Sequence, residues 1–570
     1  MTRNLTIWIA FIAIALASTW YALTYFPKVF SFVSVDIKID RNQAIDNARA
    51  LAEKHGWGFA GETRDAASFS VDSTAQTYLE LEAGGADVFA EVVELPAWSP
   101  YLWTVRLFQE SETAEARIQF RPDGRPFGFA ERVPEDEERP NISPAQAQSL
   151  GENAAIDLWQ IDIRSYELIE SAQHTRPNGR VDHDFTYEKD DPLLAEARLQ
   201  VHVTISGDAV SQVQPAVKVP EAFERRYDEM RSANTSIGLG GTVGIVIYVL
   251  LGCGFGCYYL LKRNALQWRA GTFFGVLIGA LMAGYYINAL PLAWMSYDTS
   301  LSAGNYLLLQ IGQGVGIGVL LGGVMAVTFI AAEGLSRLAF PHHPQLWRVW
   351  SPQSGASPTV AGQTITGYLM APIMLAMLVT FYGVTGDLWG WWNPSDTLVS
   401  PDNLAHYAPW LSPFALSFHA GFWEECLMRA IPLAGAALIG ERYGQRNLFI
   451  AIAFVAQAIV FGAAHAAYPA QPAYARLVEL ILPSFIFGAL YLRFGLLPAV
   501  IMHYVYDIVL MSIPVFATPG DGVMIDRTLL LILALLPVLI VVYRRVQQGQ
   551  ILATGLPAKL PHARRELGRR

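Results

Sequence analysis

Titratable side chains interrupt three apolar stretches in the C-terminal half of this 570-residue chain. An ionisable side chain at the centre of a membrane span costs about 2.5–3.5 kcal/mol even on the lenient insertion scale, so a cluster of them indicates a function. The six residues fall on three successive stretches and are Glu424, Glu425 and Arg429, then His465, then His503 and Asp507. Two imidazoles beside carboxylates are the groups needed to activate a water molecule for peptide hydrolysis.

Helical spacing separates the roles of these residues. Glu425 and Arg429 lie four residues apart on one helix face, which predicts an ion pair that neutralises both charges inside the membrane. Glu424 is rotated by about 100° from Glu425 on the 3.6-residue period, so its carboxylate is expected to point into a cavity. His503 and Asp507 are also four apart, which predicts that Asp507 accepts from one ring nitrogen of His503 and orients the imidazole.

Two mechanisms of peptide hydrolysis fit this residue set. In the first, Glu424, His465 and His503 ligate Zn²⁺, which lowers the pKa of a bound water to about 7 and polarises the scissile carbonyl. In the second, Glu424 acts with His465 as the general base without a metal. His503 and Asp507 then stabilise the oxyanion. Phe461, one turn before His465, is expected to pack beside its ring. The residues leave both mechanisms open, and we favour zinc.

The elements that position these residues belong to a polytopic membrane protein. Apolar residues make up 52% of the chain and charged residues only 16%, against about 25% charged residues in soluble domains. The net charge of −10 is uneven, because residues 31–230 contain 37 acidic and 19 basic side chains. An acidic block on a weakly basic membrane body argues against nucleic-acid binding. All three cysteines lie outside the block, so neither a disulfide framework nor a cysteine-based metal site is expected.

Ten membrane spans are predicted from stretches of about 20 mainly apolar residues. They lie at 5–26, 237–261, 270–291, 305–335, 364–386, 411–440, 446–467, 474–493, 495–515 and 527–543. The loops at 292–304, 387–408 and 516–526 contain no Lys or Arg, whereas basic residues follow the opposite ends of the spans. The positive-inside rule therefore predicts a multi-pass protein of the inner or plasma membrane, with both termini in the cytoplasm and residues 35–232 outside it.

The acidic block contains an internal duplication over residues 39–138 and 142–224. Each unit opens with an amphipathic helical stretch, RNQAIDNARALAEKHGW in the first and PAQAQSLGENAAIDLW in the second, and continues with strand-like runs. The sequence AEARIQ of the first unit returns as AEARLQ in the second. The opening helices resemble those of PepSY-like domains found outside bacterial membranes. No residues in the block have the spacing of a catalytic site, so the alternatives are that it recruits a substrate, senses an envelope signal or docks a protein partner.

The predicted fold class is an all-α polytopic membrane protein with an inserted extracytoplasmic α+β domain. With straight spans, Glu424 falls near the middle of the membrane and His465 near the outer end of its helix, so a shared site requires a tilt or a break near Pro469. The predicted parts are an anchor at 1–30, the α+β domain at 35–232, a membrane domain at 237–545 and a basic cytoplasmic tail at 546–570.

Three short motifs resemble those of the CPBP family of intramembrane proteases, which includes CAAX prenyl endopeptidases and bacteriocin-processing proteins. EECLMR (424–429), FGAAH (461–465) and HYVYD (503–507) are similar to the family's EExxxR, FxxxH and HxxxN/D motifs, in that order. The resemblance implies a protease core at about 364–515, with Glu424 as the catalytic glutamate and His465 as its partner. His503 and Asp507 are then the remaining pair. Asp507 stands where many members have Asn, which favours an orienting or metal-binding role for it.

We therefore expect an integral-membrane endopeptidase that acts within the lipid bilayer, or at its edge, on a membrane-associated polypeptide. The alternatives are a receptor or transporter with a polar helix core and an extracytoplasmic sensing domain, and a protease-like scaffold without turnover. Substitution of Glu424 alone separates the enzyme from a receptor or transporter, because the enzyme then loses its function while it remains folded.

Overall fold

A long apolar helix, α1 (Leu5–Val29), opens the chain. The computed structural model describes residues 5–30, 35–57, 63–93, 95, 97–394, 400–518 and 521–549. The first four residues of the predicted anchor and most of the predicted basic tail, 550–570, lie outside the described residues. The described residues after α1 form an α+β domain and a helical membrane domain.

The α+β domain contains two groups of four strands, and a helix opens each group. The first group contains α2 (Arg41–His55), β1 (Arg64–Val71), α3 (Ser73–Glu82), α4 (Gly85–Val93), β2 (Tyr101–Phe108), β3 (Glu115–Phe120) and β4 (Pro126–Arg132). The second group contains α5 (Pro144–Asp157), β5 (Glu167–Thr175), β6 (Val181–Asp190), β7 (Arg198–Ser206) and β8 (Ala209–Lys218). Both opening helices begin with a capping box, in which Asp40 pairs with Gln43 and Ser143 with Gln146. Such a box satisfies backbone donors at the helix start.

All eight strands form one antiparallel sheet in the order β1-β2-β3-β4-β8-β7-β6-β5. The last strands of the two groups, β4 and β8, lie side by side at its centre, so each group forms one half of the sheet. The repeated AEAR sequence lies at the start of β3 in the first group and of β7 in the second, each the third strand of its group. The two halves are thus two copies of a helix followed by four antiparallel strands.

The membrane domain begins with α6 (Glu221–Ile247), which leaves the α+β domain. A π-helical turn at Tyr248–Cys253 joins it to α7 (Gly254–Lys262), and together they make one helix of 42 residues. The later helices are α8 (Trp268–Asn288), α9 (Leu290–Ala293), α10 (Ala303–Ala339), α11 (Pro352–Gly355), α12 (Pro358–Trp389), α13 (Leu411–Glu424), α14 (Ile431–Arg442), α15 (Arg446–Ala464), α16 (Ala475–Phe494), α17 (Leu496–Met511), α18 (Ile513–Ala517), α19 (Met524–Ala534) and α20 (Leu536–Gln547).

Seven of the described helices are long and apolar enough to cross a membrane, or eight if the bent pair α19 and α20 is one span. The other two of the ten predicted spans do not meet this criterion. The stretch at 411–440 is divided into α13, a π-helical turn and α14. Helix α17 has only 16 residues, or about 24 Å, against about 30 Å of hydrocarbon. Residues 425–431 and 495–505 are buried, so other helices enclose both stretches.

The α+β domain rests on loops of the membrane domain that contain no Lys or Arg. The buried Arg106 of β2 donates to the carbonyl oxygens of Trp294 and Tyr297, at 2.9 and 2.7 Å. The outer edge of β1 is covered by residues 401–405, where the backbone N–H of Phe69 donates to Asp402 Oδ1 at 3.1 Å. The domain therefore lies at the end of the helix bundle opposite the basic loops.

Trp392 connects the α+β domain to the loop that follows α15. Its Nε1 donates to Glu80 of α3 at 2.7 Å. Its backbone pairs with the backbone of Gln471 through two hydrogen bonds of 2.7 and 2.9 Å. One tryptophan thus bonds to the outer domain through its side chain and to the loop through its main chain.

Asp402 is expected to make the stability of this interface depend on pH. Burial raises the pKa of the Asp402 carboxyl from its ordinary 3.8 to about 6, so the folded protein holds this proton more tightly than the unfolded chain does. The contribution of Asp402 to stability is therefore present below about pH 4 and lost as the pH rises through about 6. We expect Asp402→Asn to raise the unfolding temperature at pH 7.5 but not at pH 4, because the amide keeps an accepting oxygen without a charge.

The matched comparison is Asp402→Ala, which leaves the Phe69 N–H without its acceptor. It is expected to lower stability by about 1–3 kcal/mol at pH 4, and by less at pH 7.5, where removal of the buried charge offsets part of the loss. Thermal unfolding in detergent measures all three proteins. An unfolding temperature of Asp402→Asn below that of the wild type at pH 7.5 would contradict the assignment.

Candidate active site

A π-helical turn between α13 and α14 carries the first part of the site. It spans Glu425–Ala430 and begins directly after Glu424, the last residue of α13. Such widened turns are rare and occur frequently at functional sites. All six of its residues are buried, whereas the Glu424 side chain keeps 18% of its surface exposed. Two successive carboxylates therefore leave the helix here, one completely enclosed and one partly exposed.

Arg429 is completely buried inside the bundle and balances the charge of Glu425. The two side chains form an ion pair with 3.4 Å between Arg429 Nε and Glu425 Oε2, as their spacing predicts. Arg429 Nη1 donates to the side-chain oxygen of Gln457. The guanidinium also lies over the rings of Phe461 and Phe487, 4.3 and 5.2 Å from their centres. Arg429 thus links the π-helical turn to α15 and α16.

His503 of α17 lies among three carboxylates. Its Nδ1 donates to Glu425 Oε1 at 2.9 Å. On the other side of the ring, Nε2 faces Asp507 Oδ2 at 3.4 Å and Glu424 Oε2 at 3.9 Å. The ring is therefore oriented by Glu425, whereas helical spacing predicts Asp507 in that role. Asp507 instead shares the side of the ring that faces Glu424.

His465 is the first residue after α15, and the preceding helical turn fixes its ring. Nδ1 donates to the carbonyl oxygen of Phe461 at 2.8 Å. A carbonyl oxygen can only accept, so Nδ1 carries the ring proton and Nε2 keeps its lone pair. The rings of Phe461 and His465 are 4.5 Å apart, as expected from their spacing. His465 Nε2 faces Glu424 Oε2 at 3.8 Å.

The chain that follows His465 folds back into the interior of the bundle. Ala466 and Ala470 are completely buried, and Asn234 of α6 donates to the carbonyl oxygen of Ala470 at 3.2 Å. Helix α15 therefore ends below the outer surface of the bundle. This early end brings His465 to the depth of Glu424, which straight spans would not do.

The cluster carries an excess of negative charge. If all ionise, the carboxylates of Glu424, Glu425 and Asp507 give −3 and the Arg429 guanidinium gives +1, a sum of −2. The buried Oε2 of Glu424 has no hydrogen-bond partner in the described part of the chain. Buried charge of one sign is unfavourable unless a proton or a cation balances it. The site is therefore suited to a cation or to a transferable proton.

The donor set fits a zinc ion in its chemistry. His465 and His503 both donate through Nδ1, so both Nε2 lone pairs are available, and hydrogen bonds of this kind orient histidine ligands in metal sites. The two Nε2 atoms lie 3.8 and 3.9 Å from Glu424 Oε2. Neighbouring ligands of a tetrahedral zinc ion are closer, at about 3.3 Å. No group of three His, Cys, Asp or Glu side chains within the described ranges is placed to hold an ion as it stands, so binding requires small side-chain movements.

Two contributors to the site were not predicted from the sequence. Gln457 is completely buried in the apolar helix α15, two turns before His465. A single amide in such a helix is a signal that could have identified it. The ring of Phe487 lies 5.3 Å from that of His503, but an aromatic residue in a membrane helix carries no comparable signal.

Two further titratable residues near the motifs have partners outside the cluster. Glu479 of α16 pairs with Arg476 at 2.5 Å and accepts from the Tyr382 hydroxyl at 3.0 Å. His419 stacks on Trp423, with 5.7 Å between ring centres. Both therefore have structural contacts of their own.

Comparison with known proteins identifies the part of the chain that contains the cluster. Residues 406–509 match the family described as type II CAAX prenyl endopeptidase Rce1-like. This confirms the resemblance drawn from the three motifs, and the matched stretch contains all six clustered residues. No curated protein and no solved structure matches the chain. The PepSY-like resemblance of residues 35–232 finds no support in these comparisons.

Arg429 is expected to be essential for folding. Arg429→Met leaves the enclosed carboxylate of Glu425 without its counter-charge, and breaking a buried pair in this way costs about 3–5 kcal/mol. The double variant Glu425→Gln/Arg429→Met should recover part of the loss, because no charge is then left unpaired. Arg442→Met, at the exposed end of α14, is the control and should behave as wild type. Thermal unfolding and size-exclusion profiles in detergent report the outcome, and an Arg429→Met protein as stable as the wild type would contradict the assignment.

Proposed function

We propose that this multi-pass membrane protein, which carries a CAAX-protease-type domain at residues 406–509, is an integral-membrane endopeptidase that hydrolyses a peptide bond of a membrane-associated polypeptide. One observation carries the proposal. The unpartnered Oε2 of Glu424 faces the Nε2 atoms of both His465 and His503, and the Nδ1 atoms of both rings are already engaged. A free carboxylate between two fixed imidazoles is an arrangement for moving protons to and from a water molecule.

In the metal-free route, Glu424 acts with His465 as the general base. Its carboxylate takes a proton from water as the water attacks the scissile carbonyl, and later returns the proton to the leaving amine. The rings of His465 and His503 enclose the carboxylate on two sides, 3.8 and 3.9 Å away. Burial strengthens these interactions, because water does not screen them.

His503 and Asp507 act on the developing oxyanion. Glu425 holds Nδ1 of His503, so Nε2 is directed toward the reacting carbonyl. Asp507, 3.4 Å from that nitrogen, holds Nε2 in place. Glu425 and Arg429 position the imidazole and do not touch the substrate themselves.

In the zinc-dependent route, which we favour over the metal-free one, Glu424, His465 and His503 are instead the ligands of the ion. When bound, the ion would supply a Lewis acid for the scissile carbonyl and acidify a water molecule. Its charge would also offset the −2 of the cluster. These three side chains are the ones whose unengaged oxygen and nitrogen atoms face one another.

The orientation and partners follow from charge and packing. We place both termini in the cytoplasm and the α+β domain outside it, in the inner or plasma membrane, because the domain rests on loops without Lys or Arg. The substrate reaches the site through the bilayer or from its edge. Residues 35–232 are proposed to bind a protein partner on the outer side.

Glu424→Gln is expected to abolish proteolysis without loss of folding. An amide cannot take a proton from water, and removal of a general base costs about 10²–10⁴-fold in rate. Glu425→Gln should lower the rate less, because its side-chain oxygen still accepts from His503. Each reconstituted protein is incubated with solubilised membrane polypeptides. Mass spectrometry then counts the new polypeptide termini that the wild type and the variants produce. Glu441→Gln, exposed at the end of α14, is the control. Cleavage by Glu424→Gln at the wild-type rate would reject the proposal and leave a non-catalytic polar core.

Metal analysis tests the zinc ligands separately. Protein purified without chelators is expected to contain about one zinc per chain, and His465→Ala and His503→Ala should each lose it. His419→Ala is the matched control, because that ring stacks on Trp423 outside the cluster. Zinc-free wild-type protein that still cleaves would exclude zinc and leave the route in which His503 alone stabilises the oxyanion.

A further inference from the structure

An apolar cavity lies on the reverse side of two helices that carry the candidate site. It is enclosed by α8, α13, α17 and α20 and has a volume of about 640 Å³. Ligand sites in proteins typically measure about 300–1,000 Å³. Phe414, Phe418 and Phe422 line it at four-residue spacing along α13, so they share one face of that helix. Glu424 lies two residues after Phe422, about 200° around the helix, so the cavity and the candidate site are on different faces.

The cavity has one polar end and one apolar end. Arg269, Trp347, Trp350 and Ser351 line the end near the start of α8, and apolar side chains line the rest as far as Leu281. Arg269 and Leu281 are twelve residues apart on α8, or about 18 Å. This is close to half of the about 30 Å hydrocarbon thickness of a bilayer. Phe273, which lines the cavity, is 62% exposed on the outer face of the bundle, so the cavity is open toward the lipid.

The polar end carries positive charge. Arg269 lines the cavity itself, and the Arg348 guanidinium lies 4.4 Å from the ring centre of Trp347. Arg544 follows the lining residues of α20 and donates through Nε to the carbonyl oxygen of Trp350 at 3.1 Å. Within the described ranges, none of these three arginines forms an ion pair with a carboxylate.

Trp350 supplies a second unused donor at the same end. Its Nε1 is buried and has no hydrogen-bond partner among the described residues. A buried donor without an acceptor is unfavourable. The exposed guanidinium of Arg269, which has no carboxylate partner among the described residues, favours an anionic acceptor at this end. Basic pockets of this kind between membrane helices bind anionic lipid headgroups.

We propose that this cavity binds one anionic phospholipid, with an acyl chain along α8 and the phosphate at Arg269, on the side of Trp350. The length of the cavity is close to that of one leaflet, its wall is apolar, and its one charged lining residue, Arg269, lies at the start of a helix that can span a membrane. The bound chain would fill the space behind Phe418 and Phe422 of α13 and behind Tyr504 of α17. It would thereby support the helices that carry Glu424 and His503. The site is independent of the proposed proteolytic activity.

The test is native mass spectrometry of the full-length protein after incubation with phosphatidylglycerol or with phosphatidylcholine of the same acyl chains. Wild-type protein is expected to retain one phosphatidylglycerol, at least tenfold more often than phosphatidylcholine. Arg269→Gln should abolish this preference, and because Arg269 is exposed the variant should fold. Leu277→Trp, which fills the middle of the cavity, should abolish retention of both lipids. Arg263→Gln, at the same end of the bundle but outside the cavity, is the control and should bind as wild type.

Three outcomes would overturn the proposal. Equal retention of the two lipids by the wild type would remove the headgroup site, as would an unchanged preference in Arg269→Gln. Undiminished retention by a folded Leu277→Trp would place the lipid elsewhere on the protein. Glycerophosphoglycerol, the headgroup without acyl chains, provides a second measurement if Leu277→Trp does not fold: tight binding of this compound would show that the apolar cavity is not used. None of these readouts requires catalysis, so failure here leaves the proposed function untouched.

Discussion

Arg429 has no access to solvent, and the candidate site is arranged around the balance of its charge. Glu425 neutralises the guanidinium, and the side-chain oxygen of Gln457 accepts a hydrogen bond from it. The rings of Phe461 and Phe487 flank it. The same Glu425 also accepts from Nδ1 of His503. Because one carboxylate serves both partners, the electrostatic requirement of a buried arginine determines which way an imidazole on another helix faces. The position of Glu424 relative to that imidazole follows in turn, since the two glutamates are adjacent in the chain.

The stretches that carry this chemistry are poorly suited to cross a bilayer alone. One is interrupted by a π-helical turn, and the other, α17, is shorter than the hydrocarbon thickness. Both are enclosed by long apolar helices such as α8, α10 and α12, which can span a membrane. The polar groups therefore face protein and not lipid. Their hydrogen bonds and ion pairs inside the bundle offset the free energy of removing them from water.

Local spacing in the sequence predicted the local contacts and failed for those that cross between helices. The four-residue interval between Glu425 and Arg429 was sufficient for their ion pair, and Phe461 packs beside His465 as one helical turn requires. The contact of Glu425 with His503 depends on the widened turn and on how α13 meets α17, which no interval in the sequence encodes. Likewise, the repeated AEAR sequence indicated a duplication, but the central pairing of β4 with β8 is a long-range contact. The predicted number of spans exceeds the number of helices that meet the length and hydropathy criterion where a helix is broken or short, because hydropathy in the sequence does not report either feature.

The single residue Trp392 has a mechanical consequence. Its indole is bonded to α3 of the outer domain and its main chain to Gln471, six residues after His465. A rigid displacement of the α+β domain relative to the bundle would pull on the segment between His465 and Gln471. A displacement of that segment would in turn pull on the α+β domain. The α+β domain and the segment that follows His465 are therefore connected mechanically through one residue, Trp392.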